Sequence, residues 1–239
     1  DKWLNSKQVI GMSLAISQTD LDSQSSHSDV DSQLVSVYSN HITDSWYVDG
    51  ALIYGYNTYQ TERSITISQT NTPVFSEHNG DVYGASLAGG LFFPVKAWDL
   101  ETYAALDYMQ QDEEGFQETG AGGISLRVEP RTSDLLSSEL GLRLSRQFKK
   151  RSSSLFTDLG MAWVHDFNDD NKVDASFVGS PGSSFTVTGQ EIDNDGLLLE
   201  AGLSYTNKDG LTGSAEYRTD LRDGYSDQVF FANIQYQFD

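Results

Sequence analysis

The sequence predicts an all-β protein, a transmembrane antiparallel up-and-down β-barrel, and three observations predict it. Bulky apolar residues alternate with slender ones in one segment after another, at the period of two that marks a strand. The side opposite the bulky residues is rich in Gly, Ala and Ser with few charges, whereas the wet face of a soluble sandwich carries Lys, Glu and Thr. The last segment presents an alternating face of aromatic and apolar residues up to its end. No stretch approaches the ~18 to 20 consecutive apolar residues of a membrane helix, but a barrel strand crosses with about 9 to 11 residues, of which every second one meets lipid.

The segments follow one another in regular order. In IGMSLAIS, Ile10, Met12, Leu14 and Ile16 alternate with Gly11, Ser13, Ala15 and Ser17. In SWYVDGALIYGYN, Trp46, Val48, Leu52, Tyr54 and Tyr56 oppose Asp49, Ala51, Gly55 and Asn57. VYGASLAGGLFF sets Tyr83, Ala85, Leu87, Leu91 and Phe93 against Gly84, Ser86, Ala88 and Gly90. LLSSELGLRLSRQF, LFTDLGMAWVHDF and LLLEAGLSYT repeat the pattern, with Leu140, Leu142, Leu144, Leu159, Met161, Trp163, Leu199 and Leu203 on the bulky side. Such segments number roughly ten or eleven, with longer polar links near Asp20 to Asp29, Gln69 to Asn79 and Asn168 to Ser184. No composition break divides residues 1–239, so one domain is expected. Aromatic residues gathered toward the segment ends, among them Trp46, Tyr54, Phe92, Phe93, Trp98, Tyr103, Tyr108, Trp163 and Tyr205, suit interfacial girdles on the two sides of a membrane.

A net charge of -20 excludes nucleic acid as a partner, because phosphate binding needs clustered Lys and Arg. The chain has no cysteine, which excludes disulfides, thiolate metal sites and cysteine nucleophiles. Its start, DKWLNSKQ, shows no basic stretch followed by an apolar run, so a signal peptide is either removed or encoded upstream. By parity the lumen-facing charges are Asp49, Asp107, Glu139, Arg143, Asp158, Glu200, Glu216 and Arg218, six acids to two bases. Such a lining favours cations, while the plainer reading has Arg143 and Arg218 paired with neighbouring carboxylates as braces. Arg63 is a further brace or a loop residue.

Signals of catalysis are weak. His165 and Asp166 near Asp49 resemble the Asp and His that omptin-type barrel proteases use, yet WVHDF sits at a strand end and offers one neighbouring pair. Asp166, Asn168, Asp170 and Asp174 alternate like the start of a calcium loop, without its turn glycine or closing glutamate. Gly120, Gly122 and Gly123 form no phosphate cradle, lacking a following helix and a Lys-Ser/Thr pair, and are expected to allow strand bending or close backbone approach in the lumen. Ser183 and Ser184 belong to no nucleophile elbow. No enzyme activity, cofactor or metal is expected.

In the closing strand Phe230, Ala232, Ile234, Tyr236 and Phe238 share one face and Asn233, Gln235 and Gln237 the other, a pattern similar to the C-terminal insertion signal of outer-membrane barrels, although here Asp239 follows the final Phe. With IGMSLAIS, DGALIYGYNTYQTERSI, GLFFPV, ETGAGGISLRVEPRTSDLLSSELGLRLS, MAWVHDF, SSFTVTGQEID and GYSDQVFFANIQYQF in that order, nearly the whole chain resembles the β-domain of autotransporters, the type V secretion translocators. The resemblance implies a twelve-stranded barrel in the bacterial outer membrane, with a helix through its lumen and a secreted passenger upstream, exported to the cell surface. It implies as partners outer-membrane lipid and lipopolysaccharide, the barrel assembly machinery and the chain's own N-terminal passenger. On this reading the chain begins part-way through the second strand, with the lumen helix and passenger outside it. Two other readings of the residues compete: a freestanding cation-preferring porin, which a signal peptide directly before Asp1 would favour, and a soluble β-sandwich adhesin, which solubility without detergent would favour.

Overall fold

The computed structural model describes residues 1–23, 25–67, 70–167, 172–189 and 192–236. Its main body is an eleven-stranded antiparallel sheet whose neighbours follow the chain: β1 (Lys2–Asn5), β2 (Gln8–Asp22), β3 (Ser26–Ile42), β4 (Trp46–Ile67), β5 (Thr70–Val95), β6 (Trp98–Glu113), β9 (Arg131–Lys150), β10 (Ser153–Asp166), β13 (Asp195–Thr206), β14 (Leu211–Arg222) and β15 (Tyr225–Tyr236). That order is the up-and-down meander of a barrel. A second sheet of four short strands, in the order β12 (Ser180–Thr188), β11 (Lys172–Phe177), β8 (Leu126–Val128) and β7 (Phe116–Gln117), is built from the two longest connections. Phe238 lies outside the described residues.

The two faces of the main sheet meet different surroundings. The bulky residues stand clear of the protein, with Leu14 80%, Ile16 85% and Ile234 82% exposed. The opposite face is partly covered, and Ala162, Val164 and Leu198 on it pack together beside Tyr103. Such continuous outward apolar surface far exceeds the few hundred Å² that a soluble monomer tolerates. Its height is readable on β4, where the outward positions run Trp46, Val48, Gly50, Leu52, Tyr54 and Tyr56 and then turn to Thr58, Gln60 and Glu62. Eleven residues at about 3.3 Å each, tilted by ~45°, span about 25 Å, the height of a barrel's apolar band.

Beyond that band the strands continue into water. The links expected at Asp20 to Asp29 and Gln69 to Asn79 are largely strand: β2 reaches Asp22, β3 starts at Ser26 and β5 at Thr70. β4 and β5 are 22 and 26 residues long, twice what a crossing needs. Polar residues on both faces hid these extensions, since a hairpin standing in water keeps its backbone ladder without an apolar side. The link from Asn168 to Ser184 likewise holds β11 and most of β12, and Asn168 and Asp170 of the suspected calcium loop lie outside the described residues.

The four-stranded sheet caps this extended end. Glu118, only 6% exposed, is ion-paired with Arg63 of β4 and accepts the Leu126 amide at 2.7 Å, and Phe75 exchanges two backbone bonds of 2.9 Å with Thr119. Arg63 is thus a brace between barrel and cap. Gly120 and Gly122 adopt φ of 114° and 59° in this cap, and Gly120 lies against the Pro73 carbonyl, where a Cβ has no room. These glycines serve the cap rather than the lumen, because the chain leaves the barrel wall at Glu113.

His78 of β5 is, after Glu118, a second titratable group largely covered at the cap. Its ring is sandwiched between Tyr59 at 4.7 Å and Phe116 at 4.3 Å, with Nε2 3.6 Å from Glu113, which Arg131 grips through bonds of 2.9 and 2.6 Å. Burial pushes the imidazole below its ordinary 6.5; Glu113 and Glu114 pull it upward and Arg131 adds to the fall. The folded cap therefore favours neutral His78, so its stabilisation is complete above pH 6.5 and lost as pH falls through the lowered value. The protection of the Phe116–Gln117 amides against hydrogen exchange, taken relative to the intrinsic rate at each pH, should fall on acidification toward pH 5, and His78→Phe, which keeps a stacked ring without a charge, should flatten that response. Equal pH dependence in the two proteins would exclude His78 as the cause.

Candidate functional site

The concave face of the main sheet is identified by contacts that skip strands. Arg218 on β14 reaches Glu139 on β9 at 2.8 Å, although β10 and β13 lie between them in the sheet. Three strand spacings in a flat sheet come to ~14 Å, beyond two side chains standing upright, so the sheet curls toward this face. Asp49, Asp107, Glu139, Arg143, Asp158, Glu200, Glu216 and Arg218 all lie on it, because their cross-strand register links them through residues of one parity.

Two rows of the register carry the charge. One runs Phe92, Glu101, Arg143, Gly160, Glu200, Arg218 from β5 to β14, and the next runs Asp99, Ser145, Asp158, Gly202, Glu216, Phe231 from β6 to β15. In the first row Arg143 bonds Glu101 at 3.3 Å and Glu200 at 2.9 Å, and Arg218 bonds Glu200 at 3.3 Å. Glu101, Arg143, Glu200, Arg218 and Glu139 thus form one chain of alternating charge around the wall. Gly160 makes it possible: a Cβ there would sit 3.0 Å from the Glu200 carboxylate, in the space through which Glu200 reaches Arg143. The guanidinium of Arg143 also lies 5.4 Å from the centre of the Tyr103 ring, a cation–π contact.

Glycine and tyrosine alternate in the same way one row along. Tyr47, Gly90, Tyr103 and Gly141 are consecutive partners, and each ring lies over the glycine of the next strand. Tyr47 passes over Gly90 to donate its hydroxyl to Glu101 at 2.5 Å, and stacks on Phe92 at 5.4 Å. Phe92 and Tyr103 therefore belong to the concave wall and not to the outer girdles in which the sequence seemed to place them. Their neighbours Leu91, Phe93 and Ala104 take the outward positions, and a parity error at two residues moved both rings.

The charges are unevenly paired. Asp49 is hydrogen-bonded by Asn40, while among the described residues Asp107, Asp158 and Glu216 have no cation within ion-pairing distance. A cavity of about 710 Å³ is bounded by Asp99, Glu101, Arg143, Asp158, Glu216 and Phe231, so the space inside the curl is acidic and partly aromatic. Glu101 belongs to this wall and was legible: it has the parity of Asp107 in ETYAALDYM. Tyr47 and Tyr103 were harder to find, because a bulky aromatic at a strand end is read as outward unless its neighbour is known to be glycine.

The suspected catalytic neighbours part company. His165 bonds Asp195 at 3.0 Å on the outward face, where Asp195 also accepts from Trp163 at 2.9 Å, and Asp166 points inward to an ion pair with Arg222. Phe230, Ile234 and Tyr236 lie together on the outward face of β15, the last strand of the sheet.

Comparison with known proteins supplies the family. The model of the autotransporter β-domain family matches residues 1–218. Among solved structures the fold is similar to the translocator domain of the autotransporter NalP from Neisseria meningitidis, with a TM-score of 0.79, 20% identity and coverage of 98% of this chain and 77% of that one. It is also similar to the β domain of the Bordetella autotransporter BrkA, with a TM-score of 0.67, 20% identity and coverage of 99% and 86%. Two extracellular serine proteases of Serratia marcescens are 23% and 21% identical over 186 and 185 residues, 77% of this chain but 18% of each protease's length.

If Arg143 organises the wall, Arg143→Gln should destabilise the folded form by roughly 1.5–3 kcal/mol, the span for hydrogen bonds to charged groups. Adding Glu200→Gln should then cost little more, because neighbours in one network are not additive. Urea titration of the single and double variants, followed by the mobility of unboiled protein, measures this; strictly additive losses would contradict the network.

Proposed function

The chain belongs to the autotransporter β-domain family, and we propose that it is an outer-membrane translocator barrel through which an upstream passenger reaches the cell surface. The observation that carries this reading is the division of faces: continuous apolar surface outside, at the height of a bilayer, and a charged wall inside. Hydrocarbon cannot satisfy backbone polar groups, and a curled sheet whose ladders run from neighbour to neighbour satisfies them along every strand but the edges β1 and β15, which closure into a barrel would cover. The short turns at one end and the capped hairpins at the other support a periplasmic and an outer end in that order, since barrels of this kind keep short turns in the periplasm and long loops outside.

The wall suits passage rather than capture. Its charges are held by each other, as in the Glu101–Arg143–Glu200–Arg218 chain, or are left to water, as with Asp158 and Glu216. Such a surface offers an extended polypeptide a wet path without a deep specific pocket. The same acids give any open state a preference for cations, which is why a freestanding channel is the second reading. The export reading includes the assembly machinery and lipopolysaccharide as partners.

The outward position of β15 provides the test. In the whole natural protein, Phe230→Arg places a cation at the middle of that strand on the lipid face, at a cost of about 2–4 kcal/mol if this is the midplane. Protease accessibility of the passenger on intact cells should be lost, while Asn233→Arg, on the concave face of the same strand, should retain it. Equal exposure in both variants would contradict an exporting barrel that inserts through this strand.

A further inference from the structure

The two ends of the barrel carry opposite charge, and the basic end holds a cluster that the export function leaves unused. The extended end is dense in carboxylates, from Asp20 and Asp22 to Glu113 and Glu114. At the short-turn end Lys149 and Lys150 close β9 and Arg151 stands in the turn to β10, while Lys96 occupies the neighbouring turn between β5 and β6. All four are exposed. Arg146 joins them from the lipid-facing side of β9, lying 5.4 Å over the ring of Trp98 and 4.5 Å over that of Phe148.

Two features distinguish this cluster from a scatter of surface lysines. Arg146 is a cation on a face where Leu142 and Leu144 precede it, held by two aromatic rings at the edge of the apolar band. Lys96 has φ 59° in a two-residue turn, a position whose usual occupant is glycine or asparagine, so turn geometry does not account for a lysine there.

We propose that Lys96, Arg146, Lys150 and Arg151 bind the phosphate headgroup of an anionic glycerophospholipid in the periplasmic leaflet, with Trp98 and Phe148 against its upper acyl chains. The inference rests on the membrane-barrel reading and adds a ligand to it. The geometry matches the chemistry: an anionic headgroup sits at the level of the aromatic girdle, Arg offers paired donors to phosphate oxygens, and the turn lysines supply further charge at the surface. The opposite rim, where carboxylates outnumber cations, attracts the same headgroup less, so the site also favours one orientation of the barrel in the bilayer.

The test uses the whole chain folded into vesicles of phosphatidylcholine with or without phosphatidylglycerol carrying brominated acyl chains, with Trp98 fluorescence as the readout. Trp3, Trp46 and Trp163 are first replaced by Phe. Brominated phosphatidylglycerol at a tenth of the lipid should quench Trp98 well beyond its share, and brominated phosphatidylcholine should quench only in proportion. The variant Arg146→Gln, Lys150→Gln, Arg151→Gln should lose the excess, a tenfold or greater fall in relative affinity, while Arg127→Gln with Lys172→Gln in the cap should keep it. Proportional quenching by both lipids would overturn the site. Removal of the excess by millimolar inorganic phosphate would overturn the lipid as its ligand. A heat-modifiable band on gels separates the two readings: a folded barrel without lipid preference contradicts only this site, and a chain that never gives the band contradicts the barrel and the site with it.

Discussion

A sheet that carries its bulk outward is stable only where the outside is hydrocarbon, and hydrocarbon leaves no backbone polar group to water. That constraint accounts for most of what is observed. It requires each strand of the meander to pair with its chain neighbour, and it requires the sheet to curl. The curl in turn demands slender residues on the inside, where side chains converge. Gly90, Gly141, Gly160 and Gly202 are the positions at which Tyr47, Tyr103, Glu200 and Asp158 lean across a neighbouring strand. Without those gaps the wall could not close on itself through contacts such as Arg143 to Glu200.

The division of labour along the strands follows from the same constraint. Within the band, one face has to be apolar and the other is free to carry charge, so alternation prevails, broken where Tyr47, Phe92 and Tyr103 turn inward. Above the band both faces are wet, alternation disappears, and the hairpins are held by ladders and by ion pairs such as Arg63 with Glu118. The cap formed by β7, β8, β11 and β12 belongs to that wet region, and the buried set at it, Val74, Glu118, Ser125, Ala175 and Ser176, depends on polar bonds as much as on apolar contact.

The legibility of the sequence has the same boundary. Where lipid imposes a period of two, as from Trp46 to Tyr56 or Leu140 to Leu144, the residues report strand, face and register directly, and the parity of the eight charged positions places them on one side of the sheet. Where water bathes both faces, as from Thr58 to Ile67 and from Thr70 to Asn79, nothing in the pattern separates a strand from a loop. Rings turned inward, Tyr47, Phe92 and Tyr103, mislead for a further reason: their size argues for the outside, and only the glycine of an adjacent strand, invisible to local reading, makes room for them within. The cap was hidden because its strands pair across connections distant in sequence.

The central claim is that one face of this sheet meets lipid while the other lines a polar interior. Because the chain has no cysteine, single cysteines can be placed along β4 from Trp46 to Glu62 and spin-labelled in folded protein in vesicles. The account predicts collision with oxygen dissolved in the bilayer at even-numbered positions from 46 to 56, collision with a polar nickel reagent at odd-numbered ones, and loss of the alternation beyond Tyr56. Oxygen contact without alternation, or even-numbered positions shielded from both reagents, would mean that the bulky face is a buried core and would contradict the barrel.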